Sequence, residues 1–462
     1  MKTTTLIPLL LTLTTSTTAC LTDIERHGGH ILSQDQLLLR RQQDNGNLTN
    51  DNTIPIGKGD RFSKGTKAPR GIGSRPYSET TNITNNPDLS TVYSVPEIRS
   101  ALLGLQHEFP SQVSYFELPH KTHLNATMFG AKISSKSSKS NKKSYSILLE
   151  SAIHARERGG PDYLINFISD LLHADRLSLP ALTYGGTSYP LSQIRSVLAL
   201  GIVIIPLVNP DGVSHDHATN SCWRKNRNPA SQIPSDPIFS IGVDLNRNFA
   251  PVWNFTKYLA PEVESASLDP TSEIFAGTAA LSEQESKNID WTMSTFPDLS
   301  WFVDLHSIAG LVLYGWGHDS NQATDPSMNW SNPKYDGKRG VIPDDPARNL
   351  VYKEYFPDKE WDTAAVVAGR VASRMTDSTS RSYEAIQAPH LYPVSGSVMD
   401  HPKWRKAVGK SKKTVNGLTI EFGGENPEAE CPFYPSVEMH RLNMIETGAG
   451  FMEVLLGAVR FK

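Results

Sequence analysis

The chain is nearly balanced in charge and poor in long apolar runs. Its 462 residues carry 45 Lys and Arg against 48 Asp and Glu, which gives a formal net charge of −3. Without an excess of basic residues, the chain lacks the electrostatic footprint of a nucleic-acid-binding protein. Beyond the N-terminus, no stretch reaches the roughly 18 uninterrupted apolar residues that a membrane span needs. The composition therefore argues against a nucleic-acid partner and against a membrane-spanning protein.

Cysteine is also scarce, with three residues in the whole chain. Residues 1–20 combine Lys2, a short apolar run and small residues before Cys20, which is the pattern of a secretory signal peptide, so we predict a secreted, extracellular protein. Cys222 and Cys431 remain as the pair inside the body. In an oxidising compartment such a pair favours a disulfide, although two free thiols would give the same sequence. Five N-glycosylation sequons fit the same route, and they begin at Asn47, Asn82, Asn125, Asn254 and Asn329.

Residues 21–90 are polar, with few large apolar side chains and many Asn, Thr, Gly, Ser and Pro. Such a segment cannot bury a core, and we expect a disordered N-terminal (pro)segment. It contains a dibasic pair, Arg40–Arg41, that a processing protease could cut, although an ordinary charged pair in a loop has the same sequence. Residues 91–462 show no internal repeat and no domain boundary, so we predict one large domain there.

Within that domain, apolar runs of strand length are separated by segments of helical periodicity. The pattern predicts helices over residues 95–109, 161–172, 362–373 and 435–456. It predicts strands over residues 113–117, 128–133, 144–151, 197–208, 301–305 and 418–422, with a solvated loop over residues 134–143. Buried strands separated by helices indicate an α/β domain with a mixed or mostly parallel sheet.

A histidine and a carboxylate follow the strand at residues 144–151. His154 and Glu157 are three residues apart, so one tight turn can direct both at the same point. A third candidate, His306, ends the strand at residues 301–305. Two imidazoles and one carboxylate are the ligand set of a catalytic zinc site, which leaves one position open. Taken alone, His154 and Glu157 are better explained as surface residues beside a strand end, because this spacing is common.

Further along the chain come side chains suited to gripping an anionic group. Arg224 and the pair Asn246–Arg247 lie in polar loops. An arginine binds a carboxylate through its planar fork, and a neighbouring asparagine adds a donor, as an enzyme that holds a free C-terminus requires. Tyr392 lies in a glycine-containing loop, and Glu421 lies in an apolar strand. A carboxylate in such a strand is costly unless it is paired or functional, and hydrolysis needs a general base.

The order of these motifs resembles the zinc metallocarboxypeptidases of the pancreatic A and B type. The resemblance extends over about residues 93–462, and it is carried by the segments His154-Ala-Arg-Glu157, Trp223-Arg-Lys225, Gly242-Val-Asp-Leu-Asn-Arg-Asn248 and Tyr392-Pro-Val-Ser-Gly-Ser-Val-Met-Asp400. It implies a mixed, mostly parallel eight-stranded twisted sheet flanked by helices, with residues 91–462 as the catalytic domain. It also implies one Zn²⁺ per chain and a peptide or protein substrate with a free C-terminus.

The resemblance further implies a role for each site residue. His154, Glu157 and His306 would hold the metal, and Glu421 would be the general base that later protonates the leaving amine. Arg224 would stabilise the oxyanion of the tetrahedral intermediate. The substrate would be bound by Arg156, Asn246, Arg247, Tyr392 and Met399.

Met399 takes the position that forms the base of the pocket for the last substrate side chain in the resembling family. Since methionine is apolar and uncharged, we expect a preference for apolar C-terminal residues over Lys and Arg. The polar segment before the domain argues against the folded pro-domain of the pancreatic enzymes. Residues 254–281 and 319–358 are longer and more polar than a minimal member needs, and we expect surface insertions there that shape access to the cleft.

Two other functions fit parts of the sequence. A secreted pseudoenzyme would keep the fold and bind peptides, but such proteins commonly lose the base or a ligand, and none is missing here. A zinc amidohydrolase acting on a cell-wall peptide would not need the Asn246–Arg247 pair. We therefore expect an active, monomeric, secreted metallocarboxypeptidase.

Overall fold

An eight-stranded mixed sheet forms the centre of the computed structural model, which describes residues 21–26, 28–43, 52–73, 88–136 and 144–461. The predicted signal peptide with Cys20, the sequons at Asn47 and Asn82, and most of the predicted loop at residues 134–143 lie outside these described ranges.

The helices and strands follow one another along the chain in the alternating manner that the sequence predicts. The helices are α1 Asp23–Arg26, α2 Gln34–Gln43, α3 Val95–Glu108, α4 Gly160–Leu177, α5 Leu191–Leu198, α6 Pro210–Thr219, α7 Phe255–Tyr258, α8 Gln284–Thr295, α9 Asp358–Thr379, α10 His401–Ala407 and α11 Val437–Arg460. The strands are β1 Val113–Lys121, β2 Thr127–Ile133, β3 Ile147–Ser151, β4 Ala181–Tyr184, β5 Thr187–Pro190, β6 Ile202–Ile205, β7 Trp301–Ser307, β8 Leu311–Tyr314, β9 Asn321–Gln322, β10 Glu354–Tyr355, β11 Glu384–Gln387 and β12 Asn416–Phe422.

The sheet has the strand order β1-β2-β6-β3-β7-β12-β8-β11. Strands β6, β3, β7 and β12 run parallel to one another, and β8 and β11 form a further parallel pair. The β1–β2, β2–β6 and β8–β12 pairs are antiparallel. The predicted mixed, mostly parallel eight-stranded sheet is confirmed. Because β3, β7 and β12 are adjacent and parallel, their carboxyl ends meet at one edge, where open α/β sheets bind ligands.

The central strands are apolar on both faces because helices cover both sides of the sheet. Leu149 of β3 and Val303 of β7 pack into the larger core, together with residues of α3, α4, α9 and α11. Leu148 and Phe302 pack on the opposite face with residues of α8. Neighbouring strand residues therefore point to opposite faces, and both faces exclude water.

The predicted strand over residues 197–208 is wrong in its first half. Helix α5 continues to Leu198, and the chain turns at Gly201 before β6 begins at Ile202. Gly201 has a φ of 70°, and a Cβ there would lie 2.1 Å from the carbonyl oxygen of Ser144. A continuous apolar run can thus contain a helix end, a glycine turn and a strand, which periodicity alone does not separate.

Part of the polar N-terminal segment is ordered on the domain surface, which differs from the expected disorder. We call residues 21–43 the N-terminal strap. Its Leu21, Leu32 and Leu37 are buried, and the last two pack into a cluster with Phe433 and Tyr434. Residues 52–73 also lie against the domain. A few apolar anchors are sufficient here because the segment docks on a surface that the domain has already formed.

Helix α11 closes the chain and lies in the core. By length and composition it is apolar enough to cross a membrane, but 78% of its most apolar window is buried inside the domain. Its residues pack with those of α4 and α9 in the larger core. We therefore interpret α11 as the core helix of a globular domain.

Candidate active site

Three predicted metal ligands meet at the carboxyl edge of the sheet. His154 and Glu157 lie in the turn between β3 and α4, and His306 lies near the end of β7. One ligand atom from each side chain lies within 4.8 Å of the others, and all three residues are buried. Nδ1 of His154 lies 2.7 Å from Oε1 of Glu157, and Nδ1 of His306 lies 2.9 Å from Oε2. This set can hold a metal ion, and its two nitrogens and one carboxylate suit zinc.

Each histidine has a buried carboxylate on its second ring nitrogen. Nε2 of His154 lies 3.0 Å from Oδ1 of Asp244, and Nε2 of His306 lies 2.5 Å from Oδ2 of Asp304. Both nitrogens that face the carboxylate of Glu157 are therefore the Nδ1 atoms. An outer carboxylate of this kind orients a metal-binding histidine and fixes its tautomer.

The charges within this cluster determine its protonation in the metal-free protein. Burial and Arg224 disfavour the charged form of His154, but Glu157 and Asp244 outweigh them and raise the pKa of His154 to about 9. Burial likewise disfavours the charged form of Glu157, but His306 and His154 hold its pKa well below the usual range. A metal ion that binds near neutral pH therefore has to displace a proton from His154.

Two of the three predicted arginines, Arg224 and Arg156, are buried near the metal ligands. Arg224 is fully buried and donates from Nη2 and Nε to Oδ2 of Asp244, at 2.9 and 3.2 Å. Its Nη1 lies 3.4 Å from Nδ1 of His154. Arg156 lies two residues beyond His154, and its guanidinium carbon is 4.2 Å from the centre of the Phe433 ring.

Beside the ligands lies a cavity that brings together the other predicted residues. It is lined by Asn246, Arg247, Tyr392, Met399 and Glu421, and its remaining lining residues are Leu313, Ala388, Leu391, Val394, Ser397 and Thr419. The lining thus combines polar groups with uncharged, mostly apolar side chains.

Local contacts fix the positions of Arg247, Asn246 and Glu421 in the cavity lining. Arg247 donates from Nε to the carbonyl oxygen of Ser265 at 2.7 Å, so a residue of the predicted 254–281 insertion fixes this arginine. Oδ1 of Asn246 accepts a hydrogen bond from the backbone N–H of Val398 at 2.9 Å. Glu421 is 1% exposed, and its Cα pairs with that of His306 in the β12–β7 register.

The predicted disulfide between Cys222 and Cys431 is present. It joins the segment that leads to Arg224 with the segment that contains Phe433 and Tyr434. The backbone N–H of Cys222 also donates to the hydroxyl of Tyr434 at 2.8 Å. The bond therefore connects the surroundings of Arg224 with those of Arg156.

The N-terminal strap crosses this site. Glu25 is buried and accepts hydrogen bonds from both terminal nitrogens of the Arg156 guanidinium, at 2.9 Å from Nη2. The guanidinium carbon of Arg26 lies 5.3 Å from the centre of the Tyr392 ring. His30 stacks on Phe239, with ring centres 3.7 Å apart. Two predicted substrate-binding residues are thus in contact with the chain's own N-terminal segment.

Sequence reasoning missed Asp244, Asp304 and Glu25. Asp244 stands two residues before Asn246, and Asp304 stands two residues before His306 in an apolar strand. A carboxylate in an apolar strand is the same signal that singled out Glu421. Glu25 has no comparable signal, because its partner Arg156 is 131 residues away in the sequence.

Comparisons with known proteins agree with this geometry. A family model described as zinc carboxypeptidase matches residues 98–437. Carboxypeptidase B of Helicoverpa zea is 36% identical over 124 residues, which are 26% of this chain and 26% of that protein. Zinc carboxypeptidase A 1 of Drosophila melanogaster is 29% identical over 231 residues, which are 50% of this chain and 47% of that protein. The chain thus spans about half the length, or less, of these curated relatives.

Among solved structures, carboxypeptidase A from Helicoverpa armigera matches with a TM-score of 0.59 and 20% identity, over 82% of this chain and 77% of that chain. This likeness concerns the fold alone. The family model, however, extends from α3 to the start of α11 and includes all three candidate metal ligands. The chain belongs to the zinc carboxypeptidase family.

Proposed function

We propose that this chain is a secreted zinc metallocarboxypeptidase that hydrolyses the last peptide bond of peptides and proteins with a free C-terminus. The observation that carries the proposal is the cavity beside the metal ligands. Its lining combines the carboxylate of Glu421 with Asn246, Arg247 and Tyr392, whose donors suit a terminal carboxylate. A substrate carboxylate bound by these donors would place the preceding peptide bond near Glu421.

His154, Glu157 and His306 would hold one Zn²⁺ per chain. The donor set is that of a catalytic zinc site, and all three side chains are buried. When bound, the ion would supply Lewis acidity toward the scissile carbonyl and the attacking water.

Glu421 would take the proton of the attacking water and later deliver it to the leaving amine. Arg224 would stabilise the negative charge that develops on the carbonyl oxygen, and Asp244 keeps its guanidinium in place before substrate arrives. Arg156 would guide the substrate terminus inward, with its guanidinium packed on the ring of Phe433.

The apolar residues of the cavity lining support a preference for C-terminal Leu, Phe, Tyr or Met. Met399 is 3% exposed, and the walls beside it include Leu313, Leu391 and Val394. A terminal ammonium or guanidinium would lack a counter-charge there, whereas burial of an apolar side chain contributes roughly 1.5–3 kcal/mol.

We propose that the strap is part of a pro-segment that competes with substrate. Glu25 presents a carboxylate to Arg156, and Arg26 lies over Tyr392. Cleavage at Arg40–Arg41 would release the portion that contains Glu25. The sequons at Asn125, Asn254 and Asn329 and the disulfide suit a secreted enzyme. One chain supplies every residue of the site, which supports a monomer.

The test measures the zinc content of the purified chain and the release of C-terminal residues from a mixed peptide library. We expect about one zinc per chain and stepwise loss of apolar C-terminal residues. The His306→Ala variant should lose tight zinc binding and activity together. Full zinc and full activity in that variant would contradict the proposed site.

A further inference from the structure

We propose that Asp304 is a positioning residue that selects the metal-binding tautomer of His306. This inference rests on the proposed zinc site. Nδ1 of His306 faces Glu157, so a metal at the ligand cluster would bind at Nδ1. In a neutral imidazole only one ring nitrogen carries the proton. Metal binding at Nδ1 therefore requires the proton on Nε2.

Two side chains lie within hydrogen-bond distance of Nε2 of His306, and each would stabilise a different tautomer of the ring. Oδ2 of Asp304 lies 2.5 Å away, and Nδ2 of Asn246 lies 3.2 Å away. The backbone N–H of Val398 donates to Oδ1 of Asn246 at 2.9 Å, and this contact turns the amide nitrogen of Asn246 toward the ring. An amide N–H can only donate, so Asn246 favours an unprotonated Nε2 and hence a proton on Nδ1.

Asp304 favours the other tautomer. A carboxylate can only accept, so its contact with Nε2 requires the N–H there and leaves Nδ1 unprotonated for the metal. With the proton on Nε2, Asn246 cannot donate to this nitrogen, so the hydrogen bonds of Asp304 and Asn246 to Nε2 exclude each other.

The surroundings of Asp304 point to the same role. It is fully buried in β7, and among the described residues Oδ1 of Asp304 has no hydrogen-bond partner. A buried carboxylate is costly, and this one makes its hydrogen bond to His306 alone. Asp244, by contrast, is held by Arg224 and by the backbone N–H of Asn246 in addition to His154.

Glu150 provides a matched control. Its Cα pairs with that of Asp304 across β3 and β7, and it is equally buried. No hydrogen bond joins it to either histidine in the described part of the chain. Glu150→Gln thus changes a neighbouring buried carboxyl to an amide without touching the contact to His306.

The experiment measures the zinc dissociation constant of the metal-free full chain by competition with a chelating dye at pH 7. We expect Asp304→Asn to weaken zinc binding about 10- to 100-fold, the range found for outer partners of metal ligands. Glu150→Gln should bind zinc like wild type. The visible spectrum of the cobalt-substituted protein should change in Asp304→Asn but not in Glu150→Gln. Equal weakening in both variants would overturn the proposal, because it would reflect burial rather than the tautomer.

A second variant covers the case in which Asp304→Asn does not fold. Asn246→Ala removes the competing donor from the wild-type background, and zinc affinity should then stay or rise. In the Asp304→Asn/Asn246→Ala pair it should recover in part. Weaker zinc binding in Asn246→Ala, or wild-type binding in Asp304→Asn, would refute the tautomer argument. If His306→Ala also binds zinc like wild type, the proposed metal site itself is wrong.

Discussion

The contact between Glu25 and Arg156 gives the most direct test of the strap. Glu25 is buried, it bonds both terminal nitrogens of Arg156, and the N–H and hydroxyl of Thr22 hold its Oε2 at 2.9 and 3.0 Å. Phe433 lies against the same guanidinium. While the strap is docked, Arg156 therefore has no room for a substrate terminus. The perturbation is Glu25→Gln, which keeps the shape and removes the charge.

The expected change in the free energy of strap docking follows from the burial of the Glu25–Arg156 pair. Removing one partner of a buried ion pair costs about 3–5 kcal/mol, because the other charge stays buried without compensation. We expect both groups to be solvated in the undocked state, and the cost then falls on the docked state alone. A shift of about 3 kcal/mol changes the docked-to-undocked ratio more than about 100-fold, since about 1.4 kcal/mol is tenfold.

The docked-to-undocked ratio of the strap affects the apparent Michaelis constant, KM. When only the undocked fraction binds substrate, the apparent KM is the intrinsic KM divided by that fraction. If the wild-type strap is mostly docked, Glu25→Gln should lower KM by up to about 100-fold, and kcat should change little because the bound complex is the same.

The assay is steady-state hydrolysis of a blocked peptide with a C-terminal Phe, paired with limited proteolysis of residues 21–43. The matched control is Asp35→Asn, which makes the same change at an exposed position of α2. We expect Glu25→Gln to lower KM and speed cleavage of the strap, and Asp35→Asn to do neither. Faster strap cleavage with an unchanged KM would refute the competition between strap and substrate.

The remaining predictions concern the metal, the base, the disulfide and the pocket. Because the pKa of His154 is raised to about 9 without metal, zinc binding at pH 7 should release a proton, and affinity should rise with pH up to about 9 in a titration with a metal buffer. Glu421→Gln should keep zinc and KM while kcat falls by orders of magnitude in the peptide assay; near-normal turnover would remove Glu421 from the mechanism. Cys222→Ser should lower the free energy of unfolding by roughly 2–5 kcal/mol in denaturant titrations, and peptide mapping of the wild type should find Cys222 bonded to Cys431. Met399→Asp should shift kcat/KM from a C-terminal Phe peptide toward its Arg counterpart; faster cleavage of the Arg peptide by wild type would contradict the apolar pocket.

The proximity of His154, Glu157 and His306 was predictable because the ends of buried strands can be recognised in the sequence. His154 and His306 each follow an apolar run of strand length, and Glu421 lies in a third. Three such strands, when parallel and adjacent, deliver their carboxyl ends to one edge of the sheet, so residues far apart in sequence meet there. The β3–β7–β12 arrangement fulfils that expectation.

The docking of the N-terminal strap was not predictable from the sequence. Composition indicates whether a segment can form a core of its own, but it does not indicate whether the segment can pack against a core formed by other residues. Leu21, Leu32 and Leu37 are too few to fold alone. Leu32 and Leu37 pack into the cluster with Phe433, and Glu25 of the same segment pairs with Arg156. Neither feature exists until residues distant in sequence have come together.

The importance of Asp304 was partly predictable, because successive side chains of a strand point to alternate faces of the sheet. Side chains of one strand alternate between faces, so Phe302, Asp304 and His306 share one face of β7 while Trp301, Val303 and Leu305 share the other. Polar residues confined to one face of a strand buried on both sides cannot be surface residues. Each is therefore a candidate for a role in the site, and its neighbours on adjacent strands lie at the same register position. The same reasoning places Glu150 of β3 beside Asp304 and Glu421 beside His306, as the register shows. Glu150, Asp304, His306 and Glu421 of the three central strands therefore lie on one face of the sheet, and His306 and Glu421 lie near its carboxyl edge.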